Sequence, residues 1–207
     1  MRRLLDTMRR LRGPGGCPWD REQTHETLRP YLMEEAAEAV DALASGDPGR
    51  MADELGDVLL QVAFHAVIAE EAGTFGYEDV ESAIVDKLVR RHPHVFGDVA
   101  VAGVDDVLTN WKAIKAAERG GDGAPERSPA DGVPRSLPAL RRAAELDRAL
   151  AWRPDDDLAE RPLSAVEADA ASIGAALLYL VQHARRAGVD PELALRDTLE
   201  ARLVARP

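Results

Sequence analysis

Glu34, Glu35 and Glu38 are the residues with the clearest capacity for chemistry: 34 and 38 stand at i,i+4 and 35 and 38 at i,i+3, so a helix would crowd all three onto one face. Like charges at that spacing repel, and three glutamates alone would read as a solvated acidic face. Glu54 and Asp57 repeat the i,i+3 spacing on the following helical stretch, across the turn signal Ser45-Gly46-Asp47-Pro48. A turn that tight makes the two helices antiparallel neighbours, and five carboxylates then face one another across a helical hairpin. On the second helix this face borders Val58 and continues to Gln61 and His65, so it is expected to be half-buried. Gathering that much negative charge beside a core is costly without a cation. Oxygen-only ligands select hard divalent ions, Mg²⁺ or Mn²⁺. A redox di-iron or di-manganese bundle would use Glu-x-x-His pairs. Here Glu38 and Glu54 are followed three residues on by Asp41 and Asp57, so the set fits non-redox phosphate chemistry better, and His65 is the one residue that keeps a redox reading open. Lys87 and Arg91 at i,i+4, and Lys112 and Lys115 beside Trp111, are the cations suited to phosphate oxygens. Trp111 could stack on a base or fill the core.

These side chains need helices to hold them. Apolar residues recur at helical spacing along almost the whole chain and no period-2 run interrupts them, which predicts an all-α protein. Helices are expected at about 24–44, with Leu28, Leu32, Ala36, Val40 and Leu43 inward, and at about 48–72, with Met51, Leu55, Val58, Leu59, Val62 and Ala66 as the apolar stripe. Further helices are expected at about 77–91 and 104–119, joined by a loop at His92–Gly97 because Pro93 disfavours a continuing helix. The Arg-rich residues 1–12 lack the apolar stretch of a secretory signal and read as part of the fold. Residues 120–134 have the composition of a flexible linker, and helices are expected again near 137–151, 164–187 and 191–205.

With 207 residues, 45% of them apolar and 4% aromatic, the chain has enough aliphatic side chains for one or two domains and is not of disordered composition. The single cysteine, Cys17, excludes an intrachain disulfide framework, and no apolar run is long enough for a membrane span. A cytoplasmic protein without a membrane partner is the expectation. The net charge of −11 speaks against a nucleic-acid backbone as partner, but not against a polyanion carried by metal ions.

The chain also contains an internal echo. Leu55-Gly56-Asp57-Val58-Leu59-Leu60 through His65-Ala66 aligns with Ile173-Gly174-Ala175-Ala176-Leu177-Leu178 through His183-Ala184, keeping Gly, a Leu pair, His and Ala in register. The acidic residues are not kept: Glu54 and Asp57 fall opposite Ser172 and Ala175.

Glu34-Glu35-Ala36-Ala37-Glu38 followed by Glu54-Leu55-Gly56-Asp57 resembles the Glu-Glu-x-x-Glu…Glu-x-x-Asp signature of the MazG-type nucleoside triphosphate pyrophosphohydrolases. Gly16-Cys17-Pro18-Trp19-Asp20, the run Lys87 to Phe96 with its Arg-Arg-His-Pro-His-Val-Phe, Trp111-Lys112-Ala113-Ile114-Lys115 and Pro134 to Leu140 are similar to MazG segments in the same order. The resemblance is strong to about residue 150 and weak beyond it. It implies a MazG-like all-α helical bundle at 1–119, the linker at 120–134 and a degenerate, shortened second copy at 135–207. It also implies Mg²⁺-dependent hydrolysis of a nucleoside triphosphate between the α- and β-phosphates, with Mn²⁺ a plausible substitute. Glu35, Glu38, Glu54 and Asp57 would be metal ligands, and Glu34 would act on the attacking water or serve as a further ligand. Lys87, Arg91 and Lys115 would hold phosphates, Trp111 and Trp19 would contact the nucleotide, and two chains would form a homodimer. Two-domain MazG proteins carry the signature twice; here the second copy lacks it, which leaves the N-terminal set as the complete one. A nucleotide-binding dimerisation or regulatory module without turnover, and a narrow-specificity relative such as a dUTP or phosphoribosyl-ATP hydrolase, are the competing readings.

Overall fold

A computed structural model describes residues 1–119, 128–152 and 166–204, and all regular structure among them is helical. The described residues fall into two compact units, Met1–Ala117 and Glu118–Pro207. In the first unit lie α1 (Arg2–Arg12), α2 (Pro18–Glu22), α3 (His25–Ser45), α4 (Pro48–Glu71), α5 (Tyr77–Arg91), α6 (Pro93–Phe96) and, up to Ala117, α7 (Val104–Arg119). Four-residue α6 replaces the loop expected at 92–97: Pro93 occupies the first turn, where its missing N–H and fixed φ are no obstacle.

The α3–α4 hairpin is the principal packing unit. Thr24 opens α3 by accepting from the Thr27 N–H, while Thr27 Oγ1 accepts from the Thr24 N–H at 2.9 Å. That threonine hydroxyl also donates to Gln23 Oε1 at 2.8 Å, and Gln23 Nε2 donates to the Trp19 carbonyl at 2.9 Å, which ties the start of α3 to α2. Gly46, at φ 69°, supplies the left-handed residue that ends α3. Asp47 then accepts from the N–H groups of Gly49 and Arg50 at 2.9 and 3.3 Å to begin α4.

The core of the first unit gathers around the C-terminal half of α4. Ala63, Phe64, Ala66, Val67 and Ile68 pack with Leu28 of α3 and with Leu5 and Met8 of α1. Arg12, whose side chain is only 6% exposed, pins this end together. It pairs with Glu71 at 2.7 Å, donates to the backbone carbonyls of Asp20 and Gln23, and lies 5.6 Å above the Phe64 ring. The turn between α1 and α2 requires glycine at position 16, because a Cβ there would collide with the Leu11 carbonyl oxygen.

The N-terminal half of α4 and the C-terminal half of α3 extend past this core, and there the expected inward residues are not covered. Leu32, Val40 and Leu43 of α3 and Leu55 and Leu59 of α4 are exposed, while Leu28, Ala39 and Ala42 are the buried residues of α3. Alanine at 39 and 42 lets the helices approach closely, and the larger stripe faces away from that contact.

The second unit contains α8 (Ala139–Leu150), α9 (Ala170–Arg186) and α10 (Pro191–Val204), preceded by a 3₁₀ turn at Pro129–Gly132 inside the expected linker. Residues 120–127 of that linker, the expected helix start at 164–165 and the last residue, 205, of the expected C-terminal helix lie outside the described residues. Here α8 packs on α9 and α10. Asp147 is fully buried between them, accepting from Gln182 Nε2 at 2.8 Å and from Arg185 Nε.

Candidate metal centre

Across the extended end of the hairpin, one carboxylate oxygen each from Glu35, Glu38 and Glu54 lies within 4.8 Å of the other two. Glu35 and Glu54 are half-buried and Glu38 is exposed. Antiparallel pairing produces this arrangement: the residues that climb α3 meet those that descend α4, so i,i+3 pairs on each helix converge across the groove. Asp57 and Glu34 lie outside this trio but act on it. Burial first, then repulsion from Asp57, Glu38 and Glu34, raises the Glu35 pKa above the ordinary glutamate value, while the Gln61 amide lowers it by donating to the carboxylate. A divalent cation would reverse the sign of that repulsion. Magnesium–oxygen distances of about 2.1 Å place neighbouring ligand oxygens about 3 Å apart, so small side-chain rotations would close the trio on an ion. The residues present therefore fit a hard divalent ion.

A family profile described as the MazG nucleotide pyrophosphohydrolase domain matches residues 23–96, the segment that includes the hairpin. The chain belongs to the MazG family. Among its relatives, the nucleoside triphosphate pyrophosphohydrolase of Escherichia coli K12 is 48% identical over 150 residues, covering 72% of this chain and 56% of that protein. The uncharacterized protein YabN of Bacillus subtilis is 51% identical over 141 residues, 68% of this chain and 28% of YabN. An uncharacterized 26.1 kDa protein of Streptomyces cacaoi is 44% identical over 201 residues, 94% of this chain and 77% of its own length. The chain thus spans between about a quarter and about half the length of the first two relatives.

The remaining residues singled out from the MazG resemblance occupy several elements. Trp19 on α2 is 49% exposed and meets Tyr31 and Phe64 edge-on, with ring centroids 5.8 and 6.4 Å away. Lys87 is exposed on α5, and Arg91 is half-buried at its C-terminal end. Trp111 and Lys115 pair one turn apart on α7, the ammonium 5.2 Å from the ring centre. Among the described residues, α7 makes no extended packing contact with the α3–α4 hairpin, so its pair is not gathered with the carboxylates within one chain.

Two features went unread in the sequence. Gln61, which continues the acidic face in the sequence, is buried, and nothing in the local sequence marks that burial. His25 and His65 are 2.8 Å apart through their Nδ1 atoms, their rings nearly parallel, with Phe75 against His25. Burial and the neighbouring His25 lower the His65 pKa. No helix among the described residues is long and apolar enough to cross a membrane.

Proposed function

We propose that this chain is a Mg²⁺-dependent nucleoside triphosphate pyrophosphohydrolase that cleaves between the α- and β-phosphates, releasing nucleoside monophosphate and pyrophosphate. The observation that carries the reading is the convergence of Glu35, Glu38 and Glu54 on one point. Membership of the MazG family and similarity to an enzyme named for this activity support it.

In this reading Glu35, Glu38, Glu54 and Asp57 hold the cation, with Mn²⁺ able to replace Mg²⁺. Bound there, the ion supplies neutralisation of the triphosphate and a lowered pKa for the attacking water. Glu34, exposed beside the ligands, takes the proton of that water on a carboxylate oxygen. Lys87, Arg91 and Lys115 hold phosphate oxygens and stabilise charge on the departing pyrophosphate. Trp111 and Trp19 contact the nucleoside.

The protein acts as a homodimer. Uncovered Leu32, Leu43, Leu55 and Leu59 on the hairpin support this, as does the separation of α7 from the carboxylates within one chain. A second copy buries those leucines and brings α7 to the site. The role this suggests is removal of unwanted nucleotides from the cytoplasmic pool, with the second unit serving packing.

The test is to incubate purified full chain with normal and damaged nucleoside triphosphates and Mg²⁺, scoring pyrophosphate against orthophosphate. Pyrophosphate release that vanishes in Glu38→Ala is expected. Dominant orthophosphate, or undiminished turnover in that variant, overturns the reading. Nucleotide binding without either product identifies a non-catalytic module.

A further inference from the structure

His25 is the first residue of α3 and His65 stands on α4 between the core residues Phe64 and Ala66, and their Nδ1 atoms meet at 2.8 Å. The two ring planes lie within 12° of each other, with centroids 5.1 Å apart. That separation exceeds the nitrogen–nitrogen distance by the two centre-to-nitrogen radii of imidazole, so both Nδ1 atoms lie on the line joining the ring centres. The rings are therefore edge to edge, not face to face. The N–H or lone pair of a ring nitrogen points outward along that same line, which makes this an in-line N–H···N hydrogen bond. Such a bond needs one proton for two nitrogens: one ring carries Nδ1–H and the other offers a bare Nδ1. A shared metal ion does not fit, because an ion on that line would need about 4 Å between the nitrogens. Phe75, on the connection between α4 and α5, lies nearly parallel to His25 at 6.4 Å, and α5 begins two residues later at Tyr77.

This bond tolerates one charge but not two. A neutral pair and a singly protonated pair both keep a donor facing an acceptor, and the single charge strengthens the bond. A second proton sets N–H against N–H and two positive charges 2.8 Å apart. The surroundings do not offset that repulsion. His25 occupies the first turn of α3, where unmet backbone N–H groups oppose a positive charge. Glu26 of α3 pairs with Arg29 at 2.8 Å, and Glu70 and Glu71 of α4 hold Arg9 and Arg12 of α1 at 2.9 and 2.7 Å. On α5, Asp79 accepts from the Gly76 N–H at 2.8 Å and Glu81 from the Tyr77 hydroxyl at 3.4 Å, while Glu78 and, on α2, Arg21 and Glu22 are exposed. Burial and the facing His25 accordingly lower the His65 pKa.

We propose that the His25–His65 pair is an acid-opened latch: closed by one shared proton and opened by a second, it fastens the first turn of α3 to α4 and, through Phe75, to the start of α5. Opening releases His25 to solvent and takes the parallel ring from Phe75. The connection at residues 72–76 then loosens, while the aliphatic core, which includes neither imidazole, stays packed. The change reaches the helix that carries Lys87 and Arg91. The inference does not depend on the cation-site reading.

The experiment follows the imidazole nitrogen resonances of the full chain, labelled on histidine, together with amide hydrogen exchange. His25→Gln and His65→Gln assign the two rings by the signals they remove. At about pH 8, above the ordinary histidine range, one proton should be shared between the two Nδ1 atoms. Both rings in the Nε2–H form, with no proton between them, overturns the proposal. On acidification to about pH 5 the rings should titrate as a coupled pair, with the second step below the ordinary value of about 6.5. In His25→Gln, which keeps an amide opposite His65 but takes up no proton, His65 should titrate in one step. Exchange at residues 72–76 and in the first turn of α3, corrected for its intrinsic pH dependence, should quicken by about tenfold in wild type between those pH values, the effect of losing one hydrogen bond. The same segments in His25→Gln should show little acid response, and α9 should show little in either protein. Independent titration of the two rings in wild type overturns the latch. So does equal exchange of wild type at both pH values, or an undiminished acid response in both His25→Gln and His65→Gln.

Discussion

Replacing Glu35 with glutamine should make the metal-free protein more stable and the metal-loaded protein less so. In the metal-free state Glu35 repels Glu38 and Glu54, whose oxygens lie within 4.8 Å. Even at the dielectric of water, two unit charges at that distance repel by about 0.9 kcal/mol. Glu35→Gln removes two of these pairs and so relieves about 2 kcal/mol, with relief from desolvation in addition. For a chain of this size that corresponds to a rise in melting temperature of about 4–8 °C. The pH dependence follows from the raised Glu35 pKa. Between the ordinary glutamate value and the higher folded one, the native state holds a proton that the unfolded chain has released, so Glu35 destabilises the fold increasingly as pH rises through that window. The advantage of Glu35→Gln therefore grows as pH rises above the ordinary glutamate value and is largely lost near pH 4, where most of Glu35 is protonated in both states. Urea unfolding in chelator at both pH values, repeated at neutral pH with Mn²⁺, measures each part. Wild type should gain stability from Mn²⁺ and Glu35→Gln should gain little. A variant that is less stable than wild type in chelator at neutral pH, or whose advantage persists near pH 4, refutes the picture of a repulsive carboxylate trio.

Three further outcomes follow from contacts outside the trio. Arg12→Ala should cost about 2–3 kcal/mol in urea unfolding, because the carbonyls of Asp20 and Gln23 lose a charged donor; a loss below about 0.5 kcal/mol, the range of ordinary surface changes, would remove Arg12 from its clamping role. The lowered His65 pKa means that the unfolded chain takes up a proton before the native one does, so stability falls as pH drops from about 6.5, the ordinary histidine value, through the folded value. His65→Leu should flatten that part of the stability–pH profile, and an unchanged slope would assign it elsewhere. In the second unit, Asp147→Ala should destabilise by about 3 kcal/mol or more, since it strips the partner from Arg185 and Gln182 inside a closed helical contact; Asp147→Asn, which keeps the Gln182 contact, should cost less by the same unfolding assay.

The helices and the carboxylate geometry were legible because each depends on local signals. Gly46 followed by Asp47-Pro48 fixes both ends of the hairpin turn, and i,i+3 spacing puts Glu35 with Glu38 and Glu54 with Asp57 whatever surrounds them. What packs against a helix is not local. Leu32, Val40, Leu43, Leu55 and Leu59 have the spacing of inward residues and are exposed in the single chain, because the alanines at 39 and 42 form the contact between the helices. The one-turn helix at Pro93 is not legible because proline marks a break in a continuing helix as readily as the start of a new one, and here it serves as an initiator. Pairs formed across long separations, such as His25 with His65, leave no mark in either local sequence. Trp111 and Lys115 could be recognised as a pair, yet their distance from the carboxylates depends on how α7 docks.

Along α4, residues 63–68 hold the fold together and residues 54–57 carry the charge, with Gln61 between them. Two demands that usually compete for the same positions are thus written into different turns of one helix. Substitutions in the acidic turns can abolish or retune ion affinity while the aliphatic turns keep the chain folded, so inheritance of the scaffold does not oblige inheritance of the chemistry. Helix α9 carries Ser172 and Ala175 where the sequence echo aligns them with Glu54 and Asp57, and it is an intact helix without those carboxylates.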